Sequence, residues 1–453
     1  MENPLNRWCD ASRHSLTGSG RLHQVLGVAF GIAVLVGNTI GVGILRTPGD
    51  VATQLPSTGL FLTAWLLGGL YAILGAMSLA EPGAMIRRSG AQYPIVYRAL
   101  GPYPGFIVGW TDWLSTAASA ALMAFVFAEY AAPWIPDFAG EERVIATGVV
   151  LMFGMLQWHG VRTGDAAQQL LSAFKALAFT ALGVAALVLA VPDRAVSTPA
   201  ILPAGAALFA AFIIALQSVI YTYDGWTGPL YFGDETVAAG RSMPRAMIGG
   251  LLVVLTIYLL LNLAMVRVVG VERMAGDPFV AATMASTLFG PNGDPVLRLL
   301  VLGSILGGIN ALLMMVSRIP LAMGEDRLLP VRMTAVNAGG TPIASHWISI
   351  GIAIGFILSG TFNTVLAIAA FFFVANYTLS FTSVFVLRRT EPDAPRPWRV
   401  PGFPFTTGIA LLGSIAFLGG AIVTDWSNSL RSLILLGLSW PVYWMVVRVR
   451  NRA

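Results

Sequence analysis

The sequence predicts an all-α membrane protein with twelve transmembrane helices, and three observations carry that prediction. Hydrophobic residues make up 56% of the 453-residue chain and charged residues only 11%, against about 25% charged in soluble domains. The mean hydropathy is +0.74. Apolar runs of about 20 residues, the length that crosses a hydrocarbon core, recur along the whole chain. The net charge of +5 does not point to a nucleic-acid partner. The arginines stand in short clusters between apolar runs, which is the pattern of membrane topogenesis.

The twelve spans fall near 25–54, 58–84, 102–132, 143–162, 164–191, 204–232, 246–270, 295–323, 342–360, 362–387, 403–424 and 429–448. With both termini in the cytoplasm, the inner segments hold 18 basic residues and the outer segments or outer helix ends six, while Arg46, Lys175 and Arg318 fall within spans. That excess sets the orientation. Residues 1–24 and 449–453 read as cytoplasmic tails, with no cleavable signal peptide apparent. Cys9 is the sole cysteine, so an intramolecular disulfide is excluded and neither metal nor cofactor is expected. The outer connection 271–294 contains "DPFVAATMASTLFGP", read as a lid helix. The inner stretch "RRTEPDAPRPWRVPGFP" reads as a stiff connector between spans 10 and 11.

Spans 1 and 6 are interrupted near their middles, by "GNTIGVGILRTPG" and "IYTYDGWTGP". Each glycine costs about 1 kcal/mol relative to alanine inside a helix, and a gap leaves backbone groups unpaired in lipid. Such gaps are tolerated where backbone lines a cavity, and matching gaps in two halves point to a transporter's binding site. By contrast, the glycines of "GGLYAILGAM" serve close helix packing. The two gaps divide the chain into a first repeat at 25–191 (helices 1–5) and a second at 204–387 (helices 6–10), with helices 11–12 appended at 403–448.

These residues carry a family resemblance. The stretch from "GNTIGVGILRTPG" through "GAMSLAEPGAMIRRSGAQYPIVYRALG" resembles the first three helices of the amino acid–polyamine–organocation transporters. "YTYDGW", "GDE" and "MPRA" are similar to helix 6 and its cytoplasmic loop in the L-type amino acid exchanger branch, "SRIPLAMGEDRLLP" to the end of helix 8, and "RPWRVPGFP" to the loop after helix 10. The resemblance implies a leucine-transporter-type fold, a five-plus-five inverted repeat with helices 1 and 6 broken. It also implies a secondary active transporter in a bacterial cytoplasmic (inner) membrane.

The chemistry of an α-amino acid fits such gaps. A half-helix N-terminus offers unpaired N–H groups and positive dipole to a carboxylate, and Gly41, Val42, Gly43 and Ile44 open the outer half of span 1. Freed carbonyls at Thr39, Ile40, Tyr221, Thr222 and Asp224 are candidate acceptors for the ammonium. The resemblance assigns the same roles to Thr39, Gly41, Val42, Gly43, Tyr221 and Asp224, with Tyr221 as an aromatic gate. Relatives often have serine where this chain has Val42, which removes one hydroxyl contact. An ionised Asp224 facing the cavity would suit a cationic amino acid or polyamine coupled to protons. An Asp224 that caps the gap suits a neutral L-amino acid, moved by sodium-independent exchange or by proton-coupled uptake, the reading preferred here.

Lys175 is the only lysine in the chain. It lies about 10 residues into span 5, roughly 15 Å deep, beyond the reach of snorkelling. An arginine there would stay charged, whereas a lysine can give up its proton. The residue resembles the helix-5 lysine of the family, whose ammonium replaces the second sodium ion of sodium-coupled relatives and bridges span 1 to span 5. Its expected role is coupling.

Other polar residues within spans are functional candidates by default. Arg46 is read as pairing with an acid such as Glu129, Asp112 and Arg318 as structural, and Gln217, Asn310 and Asn376 as candidates to line the cavity. His159 and His346 are read as surface residues at cytoplasmic helix ends. No HExxH, P-loop or GxSxG motif occurs, so an enzyme has little support. A channel lacks a continuous polar stripe, and a sensor lacks a soluble output domain. Animal L-type exchangers are disulfide-linked to a glycoprotein between helices 3 and 4. "PWIPDFAGEER" has no cysteine, so no such ancillary subunit is expected.

Overall fold

The computed structural model describes residues 22–41, 43–138, 140–189, 204–359, 362–424 and 426–450. Most of the 1–24 tail, Cys9, Val42 and the tail from 451 lie outside the described residues. The chain is helical throughout them, with only isolated bridges in place of strands. In order the helices are α1 (Val28–Thr39), α2 (Gly43–Gln54), α3 (Thr58–Ile86), α4 (Tyr93–Leu100), α5 (Pro102–Ala131), α6 (Glu142–Trp158), α7 (Val161–Leu189), α8 (Ala206–Thr222) and α9 (Ala239–Val268). Then follow α10 (Val271–Met274), α11 (Val280–Phe289), α12 (Gly293–Val316), α13 (Arg318–Glu325), α14 (Ile343–Ser359), α15 (Phe362–Thr390), α16 (Phe405–Thr424), α17 (Trp426–Gly437) and α18 (Ser439–Arg450).

Among the described residues eight helices are long and apolar enough to cross a membrane, or nine when α1 and α2 count as one span bent by 50°. The helix α8 and the stretch Ile343–Leu358 are shorter apolar helices. The protein is therefore an integral membrane protein. Its central helices pack closely: α9 lies along α3 and α1, and α12 along α5 and α7. The outer faces of α16 and α17 display leucine, isoleucine and tryptophan, as lipid contact requires.

Span 6, expected over 204–232 with a gap at "IYTYDGWTGP", runs as α8 to Thr222, within that stretch, and beyond it the chain continues as turns and a single 3-10 turn, Gly228–Tyr231, in place of a second helical half. Two residues account for this. Gly225 holds φ at +112°, outside the helical region, and Pro229 has no N–H to give a helix. The helix expected in the 271–294 connection is present as α11, and Gly276 N–H bonds Thr53 Oγ1 of α2 at 2.8 Å. His346 was expected at the surface. It is fully buried, because α14 packs on α6 and sets its Nε2 3.0 Å from the Gly154 carbonyl.

One end of the bundle is bound together by polar contacts between connections. Leu26 N–H donates to Glu235 O at 3.0 Å, and Val237 N–H to Leu26 O at 2.8 Å. Arg318 grips Glu235 through two bonds of 3.0 Å, both side chains being buried. Nearby, Arg88 pairs with Asp326 and Glu325, and Ser89 N–H reaches Asp234 Oδ2 at 2.9 Å. Burial pushes the Asp234 carboxyl above the usual carboxylate range, against the pull of that amide and of Arg88.

Removing one partner of a buried ion pair leaves a charge without compensation and costs about 3–5 kcal/mol. Arg318→Ala should therefore lower the melting temperature in detergent well below wild type. The double change Glu235→Gln, Arg318→Met should lower it less. Equal melting of Arg318→Ala and wild type would show that the pair does not hold this end together.

Candidate functional site

The gap between α1 and α2 decides the local chemistry. An α-helix leaves its last four carbonyls without intrahelical donors, and at bilayer depth each must find one within the protein. Lys175 of α7 supplies them. Its Nζ donates to Gly37 O at 2.8 Å and also to Ile40 O, while the side chain is only 1% exposed. Ile40 O also accepts Ser304 Oγ of α12 at 3.3 Å. Two further groups of α7 repeat the grip one and two turns back: Ser172 Oγ donates to Ala33 O at 2.6 Å and Gln168 Nε2 to the same oxygen at 3.1 Å. Residues 168, 172 and 175 share one helix face, so the sequence spacing alone aligns them with α1.

The end of α8 meets this gap directly. Asn38 Nδ2 donates to Gly225 O at 3.4 Å. The Tyr258 hydroxyl of α9 is shared between the last carbonyls of both helices, Thr39 O at 2.8 Å and Thr222 O at 3.1 Å. Thr222 Oγ1 donates to Thr47 Oγ1 at 2.9 Å, and a Cβ at Gly43 would stand 3.1 Å from Thr222 Cγ2. The Thr39 hydroxyl is buried and makes no hydrogen bond. Thr39, Ile40, Gly41, Gly43 and Thr222 are thus brought to one crossing, where α2 presents its unpaired first-turn N–H groups. Val42 falls outside the described residues, and Ile44 is buried in the core.

Tyr221 and Asp224 face the other side of the same segment. They line a cavity of about 490 Å³, open mouth included, with Tyr71, Phe373, Tyr377 and Phe417 among its walls. Tyr221 is 37% exposed there. Asp224 Oδ1 accepts the Tyr377 hydroxyl of α15. Tyr377 stacks on Trp226 at 5.0 Å between ring centroids and 19° between planes.

Several partners were not visible from the sequence. Tyr258, Ser304 and Tyr377 carry no spacing signal that ties them to the gaps, since each comes from a distant helix. Some polar residues sit elsewhere than expected. Asn310 bonds Gln168 and Gln157, joining α12 to α7 and α6, and Gln217 lies against Gly420 of α16. Asn376 accepts Thr111 Oγ1 at 2.9 Å. Arg46 is exposed, and its charge acts on Glu129.

Gly225 leaves little room for a side chain. Its φ lies in the region glycine favours, and a Cβ there would approach Thr39 N to 3.0 Å and Asn38 Nδ2 to 2.9 Å. Gly225→Ala should destabilise by about 1–3 kcal/mol, read as a lowered melting temperature. Gly351→Ala, in open space within α14, should not. Identical melting of the two variants would contradict the close crossing.

Residues 25–446 match the family described as amino acid permease. The serine/threonine exchanger SteT of Bacillus subtilis is 28% identical over 94% of this chain and 98% of its own. The b(0,+)-type amino acid transporter 1 of Mus musculus is 25% identical over 94% of this chain and 88% of its own. The large neutral amino acids transporter small subunit 2 of Homo sapiens is 25% identical over 86% and 75%. The match spans nearly all of the helical bundle, including both gaps. The chain belongs to the amino acid permease family and is a membrane transporter of amino acids.

Proposed function

We propose that this protein moves neutral L-amino acids by sodium-independent alternating access, in a twelve-span fold whose repeats are residues 25–191 and 204–387. The observation that carries this reading is the crossing of the α1–α2 gap with the end of α8. Gly41 and Gly43 stand at that crossing, where the unpaired N–H groups of a half-helix start suit a carboxylate, and Val42 between them is a further candidate from the sequence. Remaining lone pairs on the carbonyls of Thr39, Tyr221 and Thr222 suit an ammonium. Ile40 O already takes two donors, so its part is to hold the gap rather than the substrate. Tyr221, which lines the aromatic cavity on the other side of the segment, is the candidate gate that the resemblance implies.

Lys175 is the coupling residue of this reading. Its ammonium occupies two carbonyls that would otherwise call for a bound cation, which supports independence from sodium. Asp224 is held by Tyr377 and by the Gly225 amide, which supports its role as a cap on the gap and hence a neutral substrate. A second reading, a cationic amino acid or polyamine taken up with protons, is favoured by the same carboxylate lying in an aromatic cavity.

The excess of inner arginines supports cytoplasmic termini in a bacterial inner membrane. The absence of cysteine from "PWIPDFAGEER" supports activity without a disulfide-linked partner.

Counterflow of labelled amino acids into proteoliposomes tests the reading. Neutral substrates should exchange without sodium. Asp224→Asn should leave their uptake largely intact, whereas selective loss of lysine, arginine or putrescine uptake would favour the second reading. Lys175→Ala strands Gly37 O and leaves Ile40 O to Ser304 alone, at about 1–3 kcal/mol for the stranded group, so transport should fall by roughly tenfold for 1.4 kcal/mol. Lys175→Arg should not restore it fully, because guanidinium is larger and planar. Sodium-driven accumulation, or a fully active alanine variant, would overturn the assignment.

A further inference from the structure

The segment after α8 is anchored by two aspartate–tyrosine bonds of opposite sense. At its start the segment supplies the acid, Asp224, and α15 supplies the hydroxyl of Tyr377. At its end the segment supplies the hydroxyl of Tyr231, which donates to Asp112 Oδ1 of α5 at 2.8 Å. Thr116, one turn along α5, stands 3.4 Å from both that oxygen and the Tyr231 hydroxyl.

Asp112 is 1% exposed. Its second oxygen, Oδ2, is buried and makes no hydrogen bond, and the same is true of Asn376 Nδ2, whose side chain is held by Thr111 next to Asp112. Charges on the elements packed around α5 lie away from Asp112 or are bound elsewhere: Arg388 of α15 pairs with Glu81, Arg298 of α12 lies over the Tyr130 ring, and Arg143 of α6 and Arg389 of α15 are exposed. Arg318 is bound to Glu235, Arg98 of α4 to Glu391, the Tyr93 hydroxyl to Asp326, and His346 of α14 to the Gly154 carbonyl. Tyr377 of α15 is bound to Asp224. The charged group that acts on Asp112 is that second acid, Asp224. No cation bonds to Asp112 among the described residues.

A buried carboxyl with one oxygen unpartnered, a second acid nearby and no cation is poorly served as a fixed structural anion. Ionisable groups in such settings within membranes serve as proton relays. We propose that Asp112 carries a proton during the transport cycle, with Tyr231 reporting its state to the segment that closes the α8 gap. A hydronium ion on one side of the membrane gives its proton to an Asp112 oxygen, its O–H bond breaking as the carboxyl O–H bond forms and the Tyr231 hydroxyl withdraws. The bond breaks when the segment returns, and the proton leaves to water on the other side. No electrons move. One proton thereby accompanies the substrate through α5, while Lys175 keeps its part in coupling by standing in for a cation on the carbonyls of α1.

This rests on the transport reading, and the experiment separates the two. Proteoliposomes are loaded for counterflow in one arm and given an acid-outside gradient, with voltage clamped, in the other. The readout is the ratio of uptake with the gradient to uptake without it, so a general loss of activity cancels. Wild type should accumulate substrate by up to about tenfold per pH unit, the limit for one proton per amino acid. Asp112→Asn should bring the ratio close to one. Tyr231→Phe, which keeps the ring, should shift the external pH that gives half-maximal uptake, and it decides the matter where Asp112→Asn does not fold. An Asp112→Asn ratio equal to wild type, an unshifted Tyr231→Phe profile, or wild-type counterflow with no response to the gradient would each overturn the proposal while leaving transport intact. Failure of counterflow itself would instead remove the transport reading.

Discussion

Carbonyl oxygens freed at the end of α1 must be hydrogen-bonded inside the protein, because lipid offers no donor. Lys175 meets that need from a neighbouring helix, with an ammonium set on Gly37 O and Ile40 O. The gap can then stay open. With α1 stopped, α2 starts afresh at Gly43 and turns its unpaired N–H groups toward the crossing with α8. The other contacts at the crossing depend on that stop: Asn38 reaches Gly225, and Tyr258 spans the ends of α1 and α8.

The same constraint explains why one lysine persists in a chain whose other basic residues are arginines. Two carbonyls three residues apart on one helix end present a small target, which a compact ammonium with rotatable donors suits better than a planar fork. Support comes from the side. Ser172 and Gln168 hold the preceding turn of α1, Asn310 fixes Gln168, and Gln157 holds Asn310 in turn. The ladder ties α1, α7, α12 and α6 into one polar seam within an apolar bundle.

Much of this was legible in the sequence, and for definite reasons. The α1–α2 gap announces itself because glycines and polar residues interrupt an apolar run. Lys175 stands out because charge is scarce there, and α11 because its pattern continues between turn residues. The gap in span 6 was legible in the same way, but the span's extent to residue 232 was not: hydropathy follows composition, whereas Gly225 and Pro229 decide backbone geometry. Tyr258 and Tyr377 stayed hidden because their partners lie far away in the chain, and nothing local marks a tyrosine that will cap a distant helix. His346 was misplaced for the related reason that burial at a helix end depends on which helix packs over it. Asp112 was read as structural, and its unpartnered oxygen, beside a second acid and with no bonded cation among the described residues, argues otherwise.

Hydrogen exchange read by mass spectrometry tests the central claim most directly, with purified protein in the presence and absence of a saturating neutral amino acid. If the gap and the segment after α8 hold the substrate together, peptides covering residues 37–47 and 219–231 should gain protection. Peptides from α16 to α18 should not change. Protection confined to regions away from the α1–α2 gap, or none in either peptide despite bound substrate, would contradict the account.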